Sequence, residues 1–256
     1  MLRPDLLTAV AELCEALPEV ESARSRGAPI WKCRSKHFAT FSLNHHGCGH
    51  VALLLKLPEG EQQRLVEMDP EVYFVPAYYG PSGWVGVELN GGADWGRVCS
   101  LTLAAWQSAV PKALAATVDA APKIPAPRKM KPEEIDPFLG TRGAGLLEGL
   151  RKRALAFPEA SEDRQFGAPC FRTGKKNFGT LHVHWGRFGL QTWVGPERQA
   201  MLTFDERYRI PSYIGRNGWI ELDLEPGENW KEIEALLDES FRHFATKRAL
   251  KALDSR

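Results

Sequence analysis

The chain of 256 residues repeats itself once. Leu17-Pro18-Glu19 returns as Phe157-Pro158-Glu159, and Gly27-Ala28-Pro29-Ile30-Trp31 as Gly167-Ala168-Pro169-Cys170-Phe171, both at a spacing of 140. Lys36-His37-Phe38-Ala39-Thr40 matches Lys176-Asn177-Phe178-Gly179-Thr180 at the same spacing. Further on the spacing is 135: Pro76 with Pro211, Tyr78 with Tyr213, Gly83-Trp84 with Gly218-Trp219, Trp95 with Trp230, Trp106 with Phe241 and Lys112 with Lys247. Solenoid units run about 20 to 50 residues, so a period this long means a tandem pair of domains. The drop of five (140 − 135) gives the first copy a few extra residues. They are expected mainly at Asn44 to His50, where a hairpin loop lengthens cheaply.

Between the copies, Ala120 to Arg142 carries Pro122, Pro125, Pro127, Pro132 and Pro137 with few large apolar side chains. It reads as an extended linker. The expected division is residues 1–119 for copy one, 120–144 for the linker and 145–256 for copy two, each copy long enough to bury its own core. The glycine-rich run Gly140-Thr141-Arg142-Gly143-Ala144-Gly145 reads as a flexible hinge.

Each copy begins and ends with a helical pattern. Leu2, Leu6, Leu7, Val10, Leu13, Cys14 and Leu17 are spaced for one helical face, as are Leu146, Leu147, Leu150, Ala154 and Phe157. Trp95, Val98, Leu101, Thr102, Trp106 and Ala109 align with Trp230, Ile233, Leu236, Leu237, Phe241 and Phe244 in the closing helices. Asp94 and Asn229 stand at their N-cap positions, and Glu232 completes a capping-box pattern with Asn229. Between these helices the period is two, most clearly at Val85, Val87 and Leu89 and at Ile220, Leu222 and Leu224. Further strands are expected at 29–34, 37–43, 51–57 and 72–79 and their counterparts, with a short helix near Glu59 to Met68 and Pro196 to Phe204. Short strands joined by tight loops imply an α+β fold, each copy an antiparallel sheet with its N- and C-terminal helices on one face.

Composition narrows the function. With 33 Lys and Arg against 32 Asp and Glu there is no polybasic tail and no acidic tract. The first five residues show no secretory signal, the longest apolar run, Val51 to Leu55, is too short for a membrane span, and five cysteines without Cys-x-x-Cys spacing point to free thiols in a reducing cytoplasm. Nucleophile-elbow, Walker, dinucleotide and His-Glu-x-x-His motifs are missing, so a binding protein without catalysis, cofactor or membrane partner is expected.

In copy two, Phe166-Gly167-Ala168-Pro169-x-Phe171-Arg172, then Gly174-Lys175-Lys176-x-Phe178, then a Gly-Trp strand and a closing helix, resembles the MmcQ/YjbR family of small bacterial proteins. Copy one departs from the pattern, with Ser25-Arg26 before Gly27, Trp31 for the aromatic and Cys33-Arg34-Ser35 in the turn. The resemblance implies a frataxin-like (CyaY-like) α-β sandwich and carries the family label of DNA-binding protein, with no catalytic residues to transfer.

Candidate sites follow. Basic side chains gather on the first hairpin of each copy: Lys32, Arg34 and Lys36, then Arg172, Lys175 and Lys176. They are candidates for weak phosphate contacts with DNA, with Phe38, Phe178 and Trp193 as candidate stacking partners. The sheet face away from the helices is expected to carry Trp84, Trp219, Thr40, Thr180, His182 and His184, with Tyr78 and Tyr213 nearby. Such a face needs cover. Either the two domains pair with each other, or the linker residues Ile135, Phe138 and Leu139 lie over it, or a protein or small ligand docks there. His45-His46-Gly47-Cys48-Gly49-His50 and the pair His182 and His184 have metal-ligating side chains, but an exposed loop and a polar sheet face account for them more simply.

Overall fold

The period-two segments form two antiparallel sheets of six strands each in the computed structural model, which describes residues 5–255 except Arg26 and Trp185, with His184 placed by its backbone alone. They lie in two compact units, Met1–Ile135 and Asp136–Arg256. In the first, α1 (Leu6–Glu15) leads into β1 (Val20–Ser25), β2 (Ala28–Cys33), β3 (Lys36–Leu43) and β4 (Val51–Lys56). Then come α2 (Glu61–Met68), β5 (Tyr73–Phe74), β6 (Trp84–Glu88), the long α3 (Trp95–Ala109) and the short α4 (Lys112–Ala115) and α5 (Pro132–Ile135). The sheet order is β1-β2-β3-β4-β6-β5.

The second unit repeats this plan with α6 (Thr141–Ala154), β7 (Ala160–Gln165), β8 (Ala168–Thr173), β9 (Lys176–His184) and β10 (Arg187–Trp193). It continues with α7 (Pro196–Leu202), β11 (Tyr208–Arg209), β12 (Trp219–Asp223), α8 (Trp230–Phe244) and α9 (Lys247–Asp254). Its order is β7-β8-β9-β10-β12-β11. The fold is α+β, written twice in tandem.

Helical and strand periods meet in each core. Leu6, Ala9, Val10, Leu13 and Cys14 are the buried stripe of α1, whose first turn is capped by Asp5 accepting from the Thr8 amide at 2.8 Å. They and the buried face of α3 pack on Trp31, Phe38, Leu53, Leu55, Val85 and Val87. In the second unit the Phe157, Phe178 and Phe241 rings meet at 4.6 to 5.7 Å in the corresponding place. Each fully buried ring or leucine contributes about 1.5–3 kcal/mol. Among the described residues no helix is long and apolar enough to cross a membrane.

Several expectations need correcting. Strands β1 and β7 have no alternating apolar pattern, because they are edge strands whose side chains are mostly exposed. Leu43 faces Val51 while Val183 faces Phe188, so three of the five extra residues lie in the β3–β4 hairpin. The other two enter near α2: Gln62 and Tyr73 are eleven apart, and their counterparts Gln199 and Tyr208 nine apart. Glu232 does not return the capping-box bond. Its carboxylate is taken by Arg207 at 2.8 and 3.0 Å and by the Tyr208 hydroxyl at 2.6 Å.

The proline-rich stretch has no helix or strand from 121 to 131, yet it is tied to the first unit. Trp95 Nε1 donates to Ile124 O at 2.9 Å, and Asn90 exchanges two hydrogen bonds with the Met130 backbone. Arg128 holds Glu134 through both oxygens at 2.6 and 2.7 Å. Ile135 packs against the first core and Phe138 is buried in the second, so neither lies over the far face of a sheet; Leu139 is exposed. The glycine-rich run is helical from Thr141, not a hinge. Gly143 is needed because a Cβ there would run into the Pro137 carbonyl.

Candidate functional site

The sheet faces turned away from the long helices have the same geometry and opposite chemistry. In the first unit Ala52, Leu54 and Trp84 form a small apolar cluster of their own, with Phe74 and Tyr79 packed on it. Trp84 is only 6% exposed, with the His37 ring at 4.6 Å and Tyr79 at 4.9 Å. Phe74 lies on Gly86, where any Cβ would strike its ring. The long β3–β4 loop leans over the same face: His50 stacks on Phe74 at 4.8 Å and donates from Nδ1 to Glu88 at 2.6 Å. The expected open, tryptophan-bearing face is therefore closed here, covered by loops of its own unit.

In the second unit Arg209 stands where Phe74 does, and pairs with Glu221 at 2.6 Å; Gln191 donates to the other Glu221 oxygen at 2.7 Å. Asp223 occupies the place of Glu88 and takes Arg187 at 2.5 Å. Burial pushes the Asp223 carboxyl up, but the Glu225 amide and the Arg187 guanidinium outweigh it and hold the group below its ordinary range. Thr180 and His182 sit opposite Gln191 and Gly189 on this polar face. The His184 side chain lies outside the described residues. Trp219 stacks on Phe244 at 5.7 Å and Trp193 on His243 at 3.4 Å, so the end of α8 covers both indoles.

Both units share one rigid loop. From Pro76 to Trp84 and from Pro211 to Trp219 the chain closes with Gly80 N donating to Pro76 O and Gly215 N to Pro211 O. One glutamine side chain clamps each loop. Gln62 donates to Gly80 O and Trp84 O at 2.9 and 2.5 Å, and Gln199 to Gly215 O and Trp219 O at 2.7 and 2.5 Å. At the tip, Tyr78 (φ 64°) and Tyr213 (φ 66°) hold left-handed backbone while their side chains are 73% and 87% exposed. That conformation costs a non-glycine residue about 1–2 kcal/mol, and an exposed ring recovers little of it. Tyr78 meets His46, its hydroxyl 3.3 Å from Nε2.

The basic hairpins are only partly available. Arg34 is held by Glu19 at 2.7 and 3.2 Å, and Arg172 by Asp163 at 3.0 Å and Asn177 at 2.9 Å. Lys32 is half-buried beside His37, whereas Lys36, Lys175 and Lys176 are exposed and in no ion pair among the described residues. Phe38 and Phe178 are fully buried and cannot stack on a base. Strands β9 and β12 both run antiparallel to β10, so the turn carrying Lys175 and Lys176 and the loop carrying Tyr213 spring from the same end of the sheet. Sequence reasoning named these residues but missed the backbone strain at the tyrosines. Its trace was a tyrosine two residues after a proline and two before a glycine, kept in both copies.

Among the described residues no three His, Cys, Asp or Glu side chains converge as a metal site requires. Cys48 is exposed; burial pushes the Cys14 thiol well up, and desolvation also raises Cys33, Cys99 and Cys170. Nucleophilic thiols need the opposite shift.

Two helix-flanked antiparallel sheets, each presenting a clamped tyrosine loop beside a short hairpin, define an α+β fold in two tandem halves. The YjbR family model matches residues 15–108 and again 155–243, and the chain belongs to that family, carrying its domain twice. No curated protein matches the chain.

Proposed function

We propose that the protein is a non-catalytic nucleic-acid-binding protein that holds DNA weakly, chiefly through its second unit. The observation that carries this reading is Lys175 and Lys176, two exposed lysines without acidic partners among the described residues, on the tight β8–β9 turn, at the same end of the sheet as Tyr213. The lysines neutralise phosphates, and Tyr213, held by a clamped loop, stacks on an unpaired base. Lys36 and Lys32 make a weaker counterpart in the first unit. Arg34 and Arg172 keep their hairpins in shape through Glu19 and Asp163 and contribute little to phosphate binding.

The test is a titration of labelled single-stranded and duplex DNA between about 20 and 200 mM salt. Binding through two to four phosphates gives a log–log salt slope of about −1.4 to −2.8 on single strands. Lys175→Glu with Lys176→Glu should weaken binding and flatten that slope. No binding at the lowest salt, or an unchanged slope in the double variant, overturns the reading.

A further inference from the structure

The tyrosine loop of the second unit carries a cation that its counterpart lacks. At the spacing of 135, Pro81 of the first loop corresponds to Arg216 of the second, three residues past Tyr213. The Arg216 side chain is exposed and makes no hydrogen bond or ion pair among the described residues. The loops also differ in what meets the tyrosine ring. In the first unit His45 and His46 of the β3–β4 hairpin lie 5.8 and 6.0 Å from Tyr78. The corresponding hairpin of the second unit is three residues shorter, and the Tyr213 ring stands free in solvent.

The backbone under Tyr213 and Arg216 is fixed from several directions. Besides the Gln199 clamp, Trp193 Nε1 donates to Asn217 O at 2.9 Å, and the Val194 and Gly195 amides donate to Gly218 O at 2.9 and 3.1 Å. It is ordered before any ligand arrives, which removes that part of the binding cost. Charge at this end of the sheet favours an anion. The connections 174–175, 194–196 and 210–218 hold Lys175 and Arg216 and no acidic residue, and Lys176 opens β9. Glu159 is taken by Arg248 and Glu239 by Arg198, while Glu197 on α7 is in no ion pair among the described residues. Three cations thus face one uncompensated carboxylate.

Geometry narrows the ligand. Two strand spacings separate β9 from β12, so the lysine turn and the tyrosine loop stand about 10–15 Å apart. That is the reach of a few nucleotides, short of the roughly 6–10 phosphates that a strongly salt-dependent duplex binder engages. A protruding ring stacks on a base only where the base has a free face, which a paired base inside a duplex does not offer. We propose that this end of the second sheet takes single-stranded DNA in preference to duplex, with Arg216 as a third phosphate contact beside the stacking Tyr213. The proposal rests on the nucleic-acid reading above and narrows it to one form of DNA.

The probes are one labelled 12-nucleotide DNA strand, alone and annealed to its complement, titrated with the full-length protein. The strand should bind at least tenfold more tightly than the duplex. Arg216→Gln removes one contact, so the log–log salt slope on the strand should flatten by about 0.7 and affinity should fall about eightfold near 50 mM salt, at unchanged melting temperature. Lys123→Gln makes the same charge change at an exposed lysine of the first unit and should alter strand affinity less than twofold. Tyr213→Asn should narrow the ratio of strand to duplex affinity at least fivefold. Equal affinity for the two probes overturns the proposal, as does full strand binding by Arg216→Gln or an equal loss in Lys123→Gln. Each of these results leaves weak DNA binding standing, because the Lys175→Glu, Lys176→Glu variant reports on that separately. Binding of neither probe at about 20 mM salt removes both readings together.

Discussion

Replacing Tyr213 with asparagine separates a residue kept for its fold from one kept for its ligand. Its backbone lies at φ 66° and its side chain is 87% exposed. Asparagine tolerates the left-handed region better than tyrosine does, so the strain relieved is roughly 0.5–1 kcal/mol of the 1–2 kcal/mol that the conformation costs. Opposing this is the small burial that the ring gives up. With 13% of the residue covered (100 − 87), only about 25–30 Å² becomes exposed, worth roughly 0.7 kcal/mol at 25 cal/mol/Å². The two nearly cancel, and Tyr213→Asn should change stability by less than about 0.5 kcal/mol. A packed aromatic would lose about 3–5 kcal/mol on truncation. Urea denaturation, with amide exchange in β12 reporting on the second unit, makes the measurement. The same variant should lose about 1–3 kcal/mol of single-stranded DNA affinity, the worth of one base stack. Tyr78→Asn provides contrast: its ring meets His45 and His46 at 5.8 and 6.0 Å, so strain relief is offset and a net loss near 1 kcal/mol is expected. A Tyr213→Asn protein destabilised by more than about 1.5 kcal/mol would refute the argument, as would one that binds DNA undiminished.

Three further outcomes are expected. Gln199→Ala leaves the Gly215 and Trp219 carbonyls without their shared donor; a loss of about 1–3 kcal/mol should appear, with faster exchange of amides 211–218. Gly149→Ala drives a methyl group into the Trp230 ring where α6 meets α8, and a cost of about 1–3 kcal/mol in thermal unfolding should follow; no change would mean that the helices can separate freely. Glu134 has its carboxyl held down to about 2 by Arg128 and the Lys131 amide. The stabilisation from this depressed group is complete above the ordinary carboxylate value near 4.3 and is lost as pH falls through about 2. Carboxyl carbon shifts should place the midpoint near 2 in the native chain and closer to 4.3 in Arg128→Ala; a normal midpoint in both would show the linker tie to be absent in solution.

The repeat, the helices and the central strands were legible because they rest on apolar spacing, which the core enforces through residues such as Leu53, Leu55, Val85 and Val87. The edge strands were not. Val20 to Ser25 and Ala160 to Gln165 take their conformation from backbone pairing with β2 and β8, and pairing leaves no periodic trace in side chains that face water. Proline content marked 120–144 as an extended linker; 121–131 carries no helix or strand, but helices stand at Pro132–Ile135 and from Thr141, and composition concealed that Asn90 and Trp95 fasten the stretch, because the fastening runs to backbone carbonyls and amides that any residue offers. At the candidate site, residue type singled out Tyr78, Tyr213, Lys175 and Lys176, all of them exposed. It misjudged Trp84, Phe38 and Phe178, whose availability depends on what lies above them, and it could not show that Arg34 and Arg172 would be neutralised by Glu19 and Asp163.

The hairpin after β3 shows how a duplicated fold acquires two characters. Lengthening such a loop costs little, since each doubling of its length adds only about 0.6 kcal/mol of closure entropy. Three residues gained there put His50 over Phe74, and Glu88 answers it from the end of β6. The face of one copy is inward and aromatic while that of the other is charged, a difference carried by the turn and the side chains beneath it. A single gene carrying both copies then offers two independent surfaces for selection on one inherited scaffold.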